Sequence, residues 1–242
     1  MKNYKEKLNK ILNLENYLID FKKGKKQIKK GVFVGKNVTI EPYVFFDSSK
    51  GMIIIGDKTQ IKGGAVLRGP LLIGENCKIG GEIQHSIFEN FSNKQHYGYV
   101  GYSYIGSWVN IGGGTSIATL KNSYNSVKMG GIDTGAQFLG AILGDYVKTA
   151  INTSIFCGKI IGESAHLYGM VTEDVPAFTS HVSAGVMYEL PLEIAEKIQK
   201  AMMKRRGLNF LAKDHKNFEK LFSETASGRK KAKVKKSKLK FN

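Results

Sequence analysis

Residues 55–80 read IGDKTQIKGGAVLRGPLLIGENCKIG, and large aliphatic residues fall on every sixth position: Ile55, Ile61, Leu67, Ile73 and Ile79. An amphipathic helix would space them by three and four, and a half-buried strand by two. A period of six fits neither. It fits a short strand and a turn repeated three times per coil, the pattern of a left-handed parallel β-helix whose triangular core the aliphatic residues fill. The same phase runs through Ile28, Val34, Ile40 and Phe46, and returns with Ile105, Ile111 and Ile117. It returns again with Leu143, Thr149, Ile155, Ile161 and Leu167. A small or branched residue often stands four positions on, as at Thr59, Cys77, Val109 and Ala165, where the walls converge. A glycine often follows the aliphatic residue, as at Gly35, Gly56, Gly106 and Gly162. It is expected to give the turn a backbone angle that other residues resist. A sandwich with accidental spacing would not hold phase over four separate blocks.

Around the coils the sequence divides further. Residues 1–27 form a helical segment and basic linker, with Leu8, Ile11, Leu12, Leu18 and Phe21 roughly on one face. The β-helix occupies residues 28–183, and residues 184–222 form a second helical segment. There Pro191 opens a helix with Glu193 and Glu196 early, Lys204 to Arg206 late, and Gly207 as its stop. That order suits the helix dipole and a glycine C-cap. Residues 223–242 are a basic tail expected to be disordered. The period fails at 85–104 and 121–140, which are read as loops leaving the coil. Chemistry tends to sit on such excursions from a rigid frame.

At 242 residues the chain is long enough for one sizeable core. Neither a membrane-spanning apolar run nor a signal peptide is visible. Two cysteines, Cys77 and Cys157, make no disulfide framework, so a reducing cytoplasm is the expected setting. The net charge of +17 raises the question of nucleic acid, and its distribution answers it. Residues 1–30 carry ten Lys against three acids, and residues 223–242 carry eight Lys/Arg against one. Residues 31–189 hold 11 basic and 12 acidic side chains. A nucleic-acid-binding domain would carry its charge on a folded face among stacking aromatics. Here the charge is in the ends, where it would attract polyanions without specificity.

One histidine lies where the period first fails. Residues 96–115, HYGYVGYSYIGSWVNIGGGT, carry His96, Tyr99, Gly101, Ile105-Gly106 and Asn110-Ile111-Gly112 through Gly114-Thr115. This segment resembles the acetyltransferase half of the bifunctional UDP-N-acetylglucosamine pyrophosphorylase/glucosamine-1-phosphate N-acetyltransferase family. Residues 140–162, GAILGDYVKTAINTSIFCGKIIG, and the closing helix with MMKRRG resemble the archaeal-type sugar-phosphate nucleotidylyltransferase/acetyltransferase branch. The likeness covers roughly residues 28–210. The family's glycine-rich nucleotidyl-transfer motif has no room in residues 1–27, so no uridylyl transfer is expected of this chain.

The resemblance implies acetyl transfer from acetyl-CoA to an amino-sugar 1-phosphate. An unprotonated amine must attack the thioester, and a histidine is the side chain suited to take its proton near neutral pH. The resemblance gives that role to His96, with Glu82, fourteen residues upstream, orienting it. Arg68 resembles the family's phosphate-binding arginine, and Tyr99 and Asn110 occupy substrate-contact positions. Gln84 stands where bacterial enzymes have a phosphate-binding lysine, and Thr119 where they have an asparagine. The missing charge is open to Lys121 or Lys128 from the second excursion. Lys148, Thr149, Ala150 and Asn152 mark the expected acetyl-CoA path, and the family assembles as homotrimers.

Two rivals come from other classes. A γ-class carbonic anhydrase would hold zinc by three histidines, two of them five apart. His85, His96, His166, His181 and His215 contain no such spacing. A non-catalytic trimeric scaffold or regulatory subunit would keep the coils and lose the chemistry, and the changes at Gln84 and Thr119 are what favour it.

Overall fold

A computed structural model describes residues 3–237 and Leu239. The chain is mainly β, a solenoid of about eight turns with a few helices, matching the left-handed β-helix read from the period of six. Three files of parallel strands form its faces. Face I stacks Val32–Val34, Ile53–Ile55, the end of Val66–Ile73, the end of Glu82–Phe88, Tyr104–Ile105, Ile142–Leu143 and Ile160–Ile161. Face II stacks Thr39–Ile40, Gln60–Ile61, Lys78–Ile79 and Asn93–Lys94, then continues through Asn110, Lys148–Thr149, His166–Leu167 and Thr179–Ser183. Face III runs from Phe45–Asp47 through residues 66–68, 82–84 and Tyr99–Gly101. Ser116–Ile117, Ser154–Ile155 and Met170–Val171 complete it.

The hexad residues Ile55, Ile61, Leu67, Ile73, Ile79, Ile105, Ile111, Ile117, Leu143, Ile155, Ile161 and Leu167 are buried in one continuous core. The first coil is the exception. Ile40 is 36% exposed because no coil lies beneath it. Ile28 is 43% exposed because it stands in a strand, Lys26–Lys29, that pairs antiparallel with Val32–Val34 and is no part of a coil.

The glycines after the hexad residues serve a purpose other than the expected one. Their φ angles are not positive. A Cβ on Gly56 would come within 2.5 Å of the Gly74 carbonyl carbon, and one on Gly162 within 2.2 Å of the Ala177 amide nitrogen. They let one coil approach the next. The left-handed residue at this corner lies two positions later in most coils, and it is never glycine: Asn37, Lys58, Asn76, Phe91, Trp108, Tyr146, Ser164 and Phe178 all have φ between 52° and 67°. Amide bonds to the coil below, such as Trp108 N to Asn90 O at 3.1 Å and Tyr146 N to Ser107 O at 2.9 Å, help offset the cost of that conformation.

Residues 85–104 do not leave the coil. Phe88, Lys94 and Val100 continue the inner positions, with strands at Asn93–Lys94 and Tyr99–Gly101. Residues 121–140 are an excursion, and they carry an antiparallel hairpin of Lys128–Met129 and Ile132–Asp133.

The additions cover two of the three faces. Helices α1 (Tyr4–Leu12) and α2 (Leu14–Leu18) lay Leu8, Ile11, Leu14 and Leu18 on the outward residues of face I, namely Ile54, Leu72, Ile87, Tyr104, Ile142 and Ile160. Val127, Met129 and Leu139 of the excursion join them. Leu12 and Phe21, expected on the same face, are 42% and 38% exposed. Helix α3 (Leu192–Lys204) brings its last turn over face II, and α4 (Ala212–Glu224) packs Phe218 on Phe178. Among the described residues no helix covers face III, and only Thr119 and Phe138, beside or within the excursion, reach its edge, at Tyr99 and Tyr102.

The basic tail departs from expectation as well. Residues 226–231 form helix α5, and Arg229 is only 4% exposed. Its guanidinium donates to Glu189 Oε2 at 2.9 Å, Thr225 Oγ1 at 2.9 Å and Phe222 O at 2.9 Å, and lies 4.0 Å from the Phe222 ring centroid. Beyond it Lys235 pairs with residues 187–189 through Lys235 N to Met187 O at 3.0 Å and Glu189 N to Lys235 O at 2.8 Å. The disorder expected at Lys238 and at residues 240–242 lies outside the described residues. Charge in this tail is therefore partly internal. Replacing Arg229 by Ala leaves Glu189, the Thr225 hydroxyl and the Phe222 carbonyl without their donor, which should lower the unfolding free energy by about 3 kcal/mol. Chemical denaturation checks this, and an unchanged midpoint would contradict the packing.

Candidate active site

Face III carries a polar cluster whose members come from four successive coils. Parallel register aligns Asp47, Arg68, Gln84 and Gly101 in one outward file, and Phe45, Val66, Glu82 and Tyr99 in the next. Arg68 sits between two carboxylates, with Nε 3.3 Å from Glu82 Oε1 and Nη1 3.4 Å from Asp47 Oδ2. The Tyr99 hydroxyl donates to Gln84 Oε1 at 3.5 Å, and Gln84 Nε2 donates to the Tyr102 hydroxyl at 3.4 Å. Thr119, just before the excursion, bonds the Tyr99 side chain. Burial raises the Tyr99 phenol above its ordinary range, so it stays a neutral donor. Gly101 makes room for the ring, since a Cβ there would lie 2.2 Å from the Tyr99 hydroxyl. Arg68, Glu82 and Asp47 are each roughly a third to half exposed, so their ion pairs add little to stability. The arrangement holds a cation on an open surface.

His96 lies at the corner leading into this face. It is exposed, and no hydrogen bond of its ring is found among the described residues. Gly113 of the next coil leaves room beside it, with 3.3 Å from the place of a Cβ to His96 Cβ. What fixes the corner is Lys94. Its side chain takes the inner position between Ile79 and Ile111 on face II and is fully buried. Its ammonium donates to the backbone carbonyl of His96 and, at 2.8 Å, to that of Tyr97.

Five of the expected residues thus come together: Arg68, Glu82, Gln84, Tyr99 and Thr119, with His96 at their edge. Glu82 does not orient His96. Its carboxylate is engaged by Arg68, one coil below, and not by the ring. Asn110 lies elsewhere, on face II, where its Oδ1 accepts from Asn93 Nδ2 at 3.3 Å beneath α3. Lys121 donates to Ser126 O at 2.6 Å within the excursion.

The four residues of the expected acetyl-CoA path divide in the same way. Thr149 faces the core, where its hydroxyl meets Thr115 Oγ1 at 2.9 Å and accepts from Gly112 N at 2.9 Å, so it cannot touch a ligand outside the coil. Lys148 donates to Trp108 O at 3.0 Å and Tyr146 O at 2.7 Å, and burial lowers its ammonium to about 7. Ala150 gives its carbonyl to Thr115 and Thr153 at 3.1 and 3.0 Å. Asn152 is exposed at the corner and accepts from the Tyr97 hydroxyl at 3.3 Å. Asp47, Tyr97 and Tyr102 join the site without having been expected. Their signal was the coil register, which aligns residues 15 to 21 apart and which a lost period conceals.

Comparison with known proteins follows the same lines. A bifunctional sugar-1-phosphate nucleotidylyltransferase/acetyltransferase of Sulfurisphaera tokodaii is 34% identical over 152 residues, covering 52% of this chain and 38% of that protein. The bifunctional protein GlmU of a Nostoc species is 33% identical over 147 residues, covering 59% and 29%. The matched part is their acetyltransferase region. The chain is similar to that region. It spans well under half of each relative's length. Among solved structures, a variant of AntD, an N-acyltransferase from Bacillus cereus, aligns at TM-score 0.40 with 21% identity over 69% of this chain and 90% of that one. No family model matches the chain. No helix among the described residues is long and apolar enough to cross a membrane.

The buried ammonium of Lys94 has a consequence that stability measurements can read. Burial lowers its pKa from the ordinary 10.5 to about 8. Between these values the unfolded chain binds more protons than the folded one, so this group makes stability rise with pH from about 8 to 10.5. Lys94→Met should flatten that rise, read as the unfolding midpoint against pH. A slope unchanged in the variant would show that Lys94 titrates normally and is not buried.

Proposed function

We propose that this chain is an acyltransferase that moves an acetyl group from acetyl-CoA to the amine of an amino-sugar 1-phosphate, with His96 as general base. The observation that carries the proposal is the open cation of Arg68, flanked by the Tyr99 hydroxyl and the Gln84 amide on the face next to an unengaged histidine. It is supported by the similarity to the acetyltransferase region of enzymes that act on sugar 1-phosphates.

In this mechanism Arg68 takes the sugar's phosphate as a charge-assisted partner, exchanging its pairing with Glu82 and Asp47. Tyr99, Gln84 and Thr119 bond the sugar hydroxyls. The imidazole of His96 accepts a proton from the amine as nitrogen attacks the thioester carbonyl. Collapse of the tetrahedral adduct breaks the carbon–sulfur bond, and the imidazolium returns the proton to the departing thiolate. The products are the amide and the free thiol. Acetyl-CoA has no path through Thr149. The exposed apolar side chains of Tyr97, Ile151, Phe156 and Met170, with the Asn152 amide, offer it a surface along face III and its corner. A second copy of the chain in a homotrimer would close that surface and shield the thioester. Glu82 and Asp47 set the position of Arg68 in this scheme and leave the ring of His96 free.

Replacing His96 by Ala should lower acetyl transfer about 10²- to 10⁴-fold, the usual contribution of a positioned base, with acetyl-CoA affinity kept. The rise of rate with pH should vanish in the same variant. Arg68→Ala should raise KM for the sugar phosphate about tenfold or more, with a smaller change in kcat. Full activity in His96→Ala would remove the histidine from the mechanism. A sound trimer that transfers nothing to any amino sugar would favour the scaffold.

A further inference from the structure

A second polar concentration lies on the opposite side of the His96 corner, where the last turn of α3 crosses face II. The cleft between them has a volume of about 270 Å³. Four cations line it, Lys78 and Lys148 from the coils and Arg205 and Arg206 from the helix end, together with the amides of Asn93, Gln95 and Asn110. Among the described residues no Asp or Glu lines it.

Cations at a helix C-terminus have an ordinary use, which is to complement the helix dipole. Arg206 does something else. Its Nη2 reaches across the cleft to Asn93 Oδ1 at 2.5 Å, and Asn93 in turn donates to Asn110. The helix end is thereby tied to the coils with its charge directed inward. Among the described residues Lys148 has the Trp108 and Tyr146 carbonyls as hydrogen-bond partners, and no carboxylate pairs with it. Lys78 is held below its ordinary value by burial and then by neighbouring cations, Arg206 first, and Arg206 is held below its own mainly by burial, with Arg205 adding to it. Like charges gathered in a half-enclosed space repel one another, and an anion joining them would relieve that repulsion and keep Lys148 protonated. Guanidinium forks and amide donors around a space of this size suit a phosphate or diphosphate group.

We infer that the cleft between the end of α3 and face II is a binding site for a phosphate-bearing ligand, held by Arg206, Arg205, Lys78 and Lys148. It is separate from the Arg68 cluster and stands whether or not face III transfers acetyl groups.

The test is calorimetric titration of the full chain with inorganic pyrophosphate at fixed ionic strength. Saturable binding is expected. Arg206→Ala and Lys78→Ala should each weaken it about tenfold, the loss of one charge-assisted bond. Lys204→Ala removes an exposed charge from the same helix end but outside the cleft, and should leave binding unchanged. Should Arg206→Ala fail to fold, Lys78→Ala carries the comparison. A parallel titration with coenzyme A identifies the source. Competition with pyrophosphate would make the cofactor's phosphates the occupant, and independent binding would assign the cleft to another phosphorylated molecule. Absence of saturable binding would overturn the inference. So would equal weakening by all three variants, since that is non-specific charge attraction.

Discussion

Stacking of the coils requires that each face send a side chain inward to meet the one above and below in a space closed to water. On face II the large inner positions are Ile40, Ile61, Ile79, Lys94, Ile111, Thr149, Leu167 and His181. Seven of the eight can be filled by a neutral group. Lys94 places an ammonium there, and a buried cation persists only where it is well bonded. Its partners are the carbonyls of His96 and Tyr97, so a buried cation of the core holds the corner that carries the histidine. Stability and chemistry meet at this residue.

That residue also explains what the sequence conceals. The period of six was legible wherever aliphatic residues marked it, and the core followed directly. Between residues 79 and 105 the inner residues are Ile79, Ile83, Phe88, Lys94, Val100 and Ile105, with spacings of four, five and six. A polar residue at one position and shortened turns at others made a continuous coil look like a loop. Thr149 carried two readings, an inward hexad position by period and a place on the acetyl-CoA path by resemblance, and the structure keeps the first, turning its hydroxyl against Thr115. The hexad glycines were visible, but their reason, contact between coils, belongs to the third dimension.

Of the candidate site, Arg68, Glu82, Gln84, Tyr99 and Thr119 were legible from resemblance and are joined by parallel register. Asp47 and Tyr102 were not, because their proximity arises from coils stacked 15 to 21 residues apart. The basic ends were read as solvated charge. Arg229 shows why composition alone fails there: one guanidinium, buried against Phe178, Phe222 and Glu189, anchors a short helix in an otherwise lysine-rich stretch. The additions divide the surface by function. The N-terminal helices and the excursion close face I, the end of α3 covers part of face II, and among the described residues no helix covers face III beside His96.

The most direct measurement of the central claim follows release of free thiol from acetyl-CoA against a panel of amino-sugar 1-phosphates, their N-acetylated forms and the unphosphorylated amino sugars. Thiol should appear in step with amide product only where the sugar carries both a free amine and a 1-phosphate. Release that ignores the amine, or no release with any member of the panel, would contradict the account.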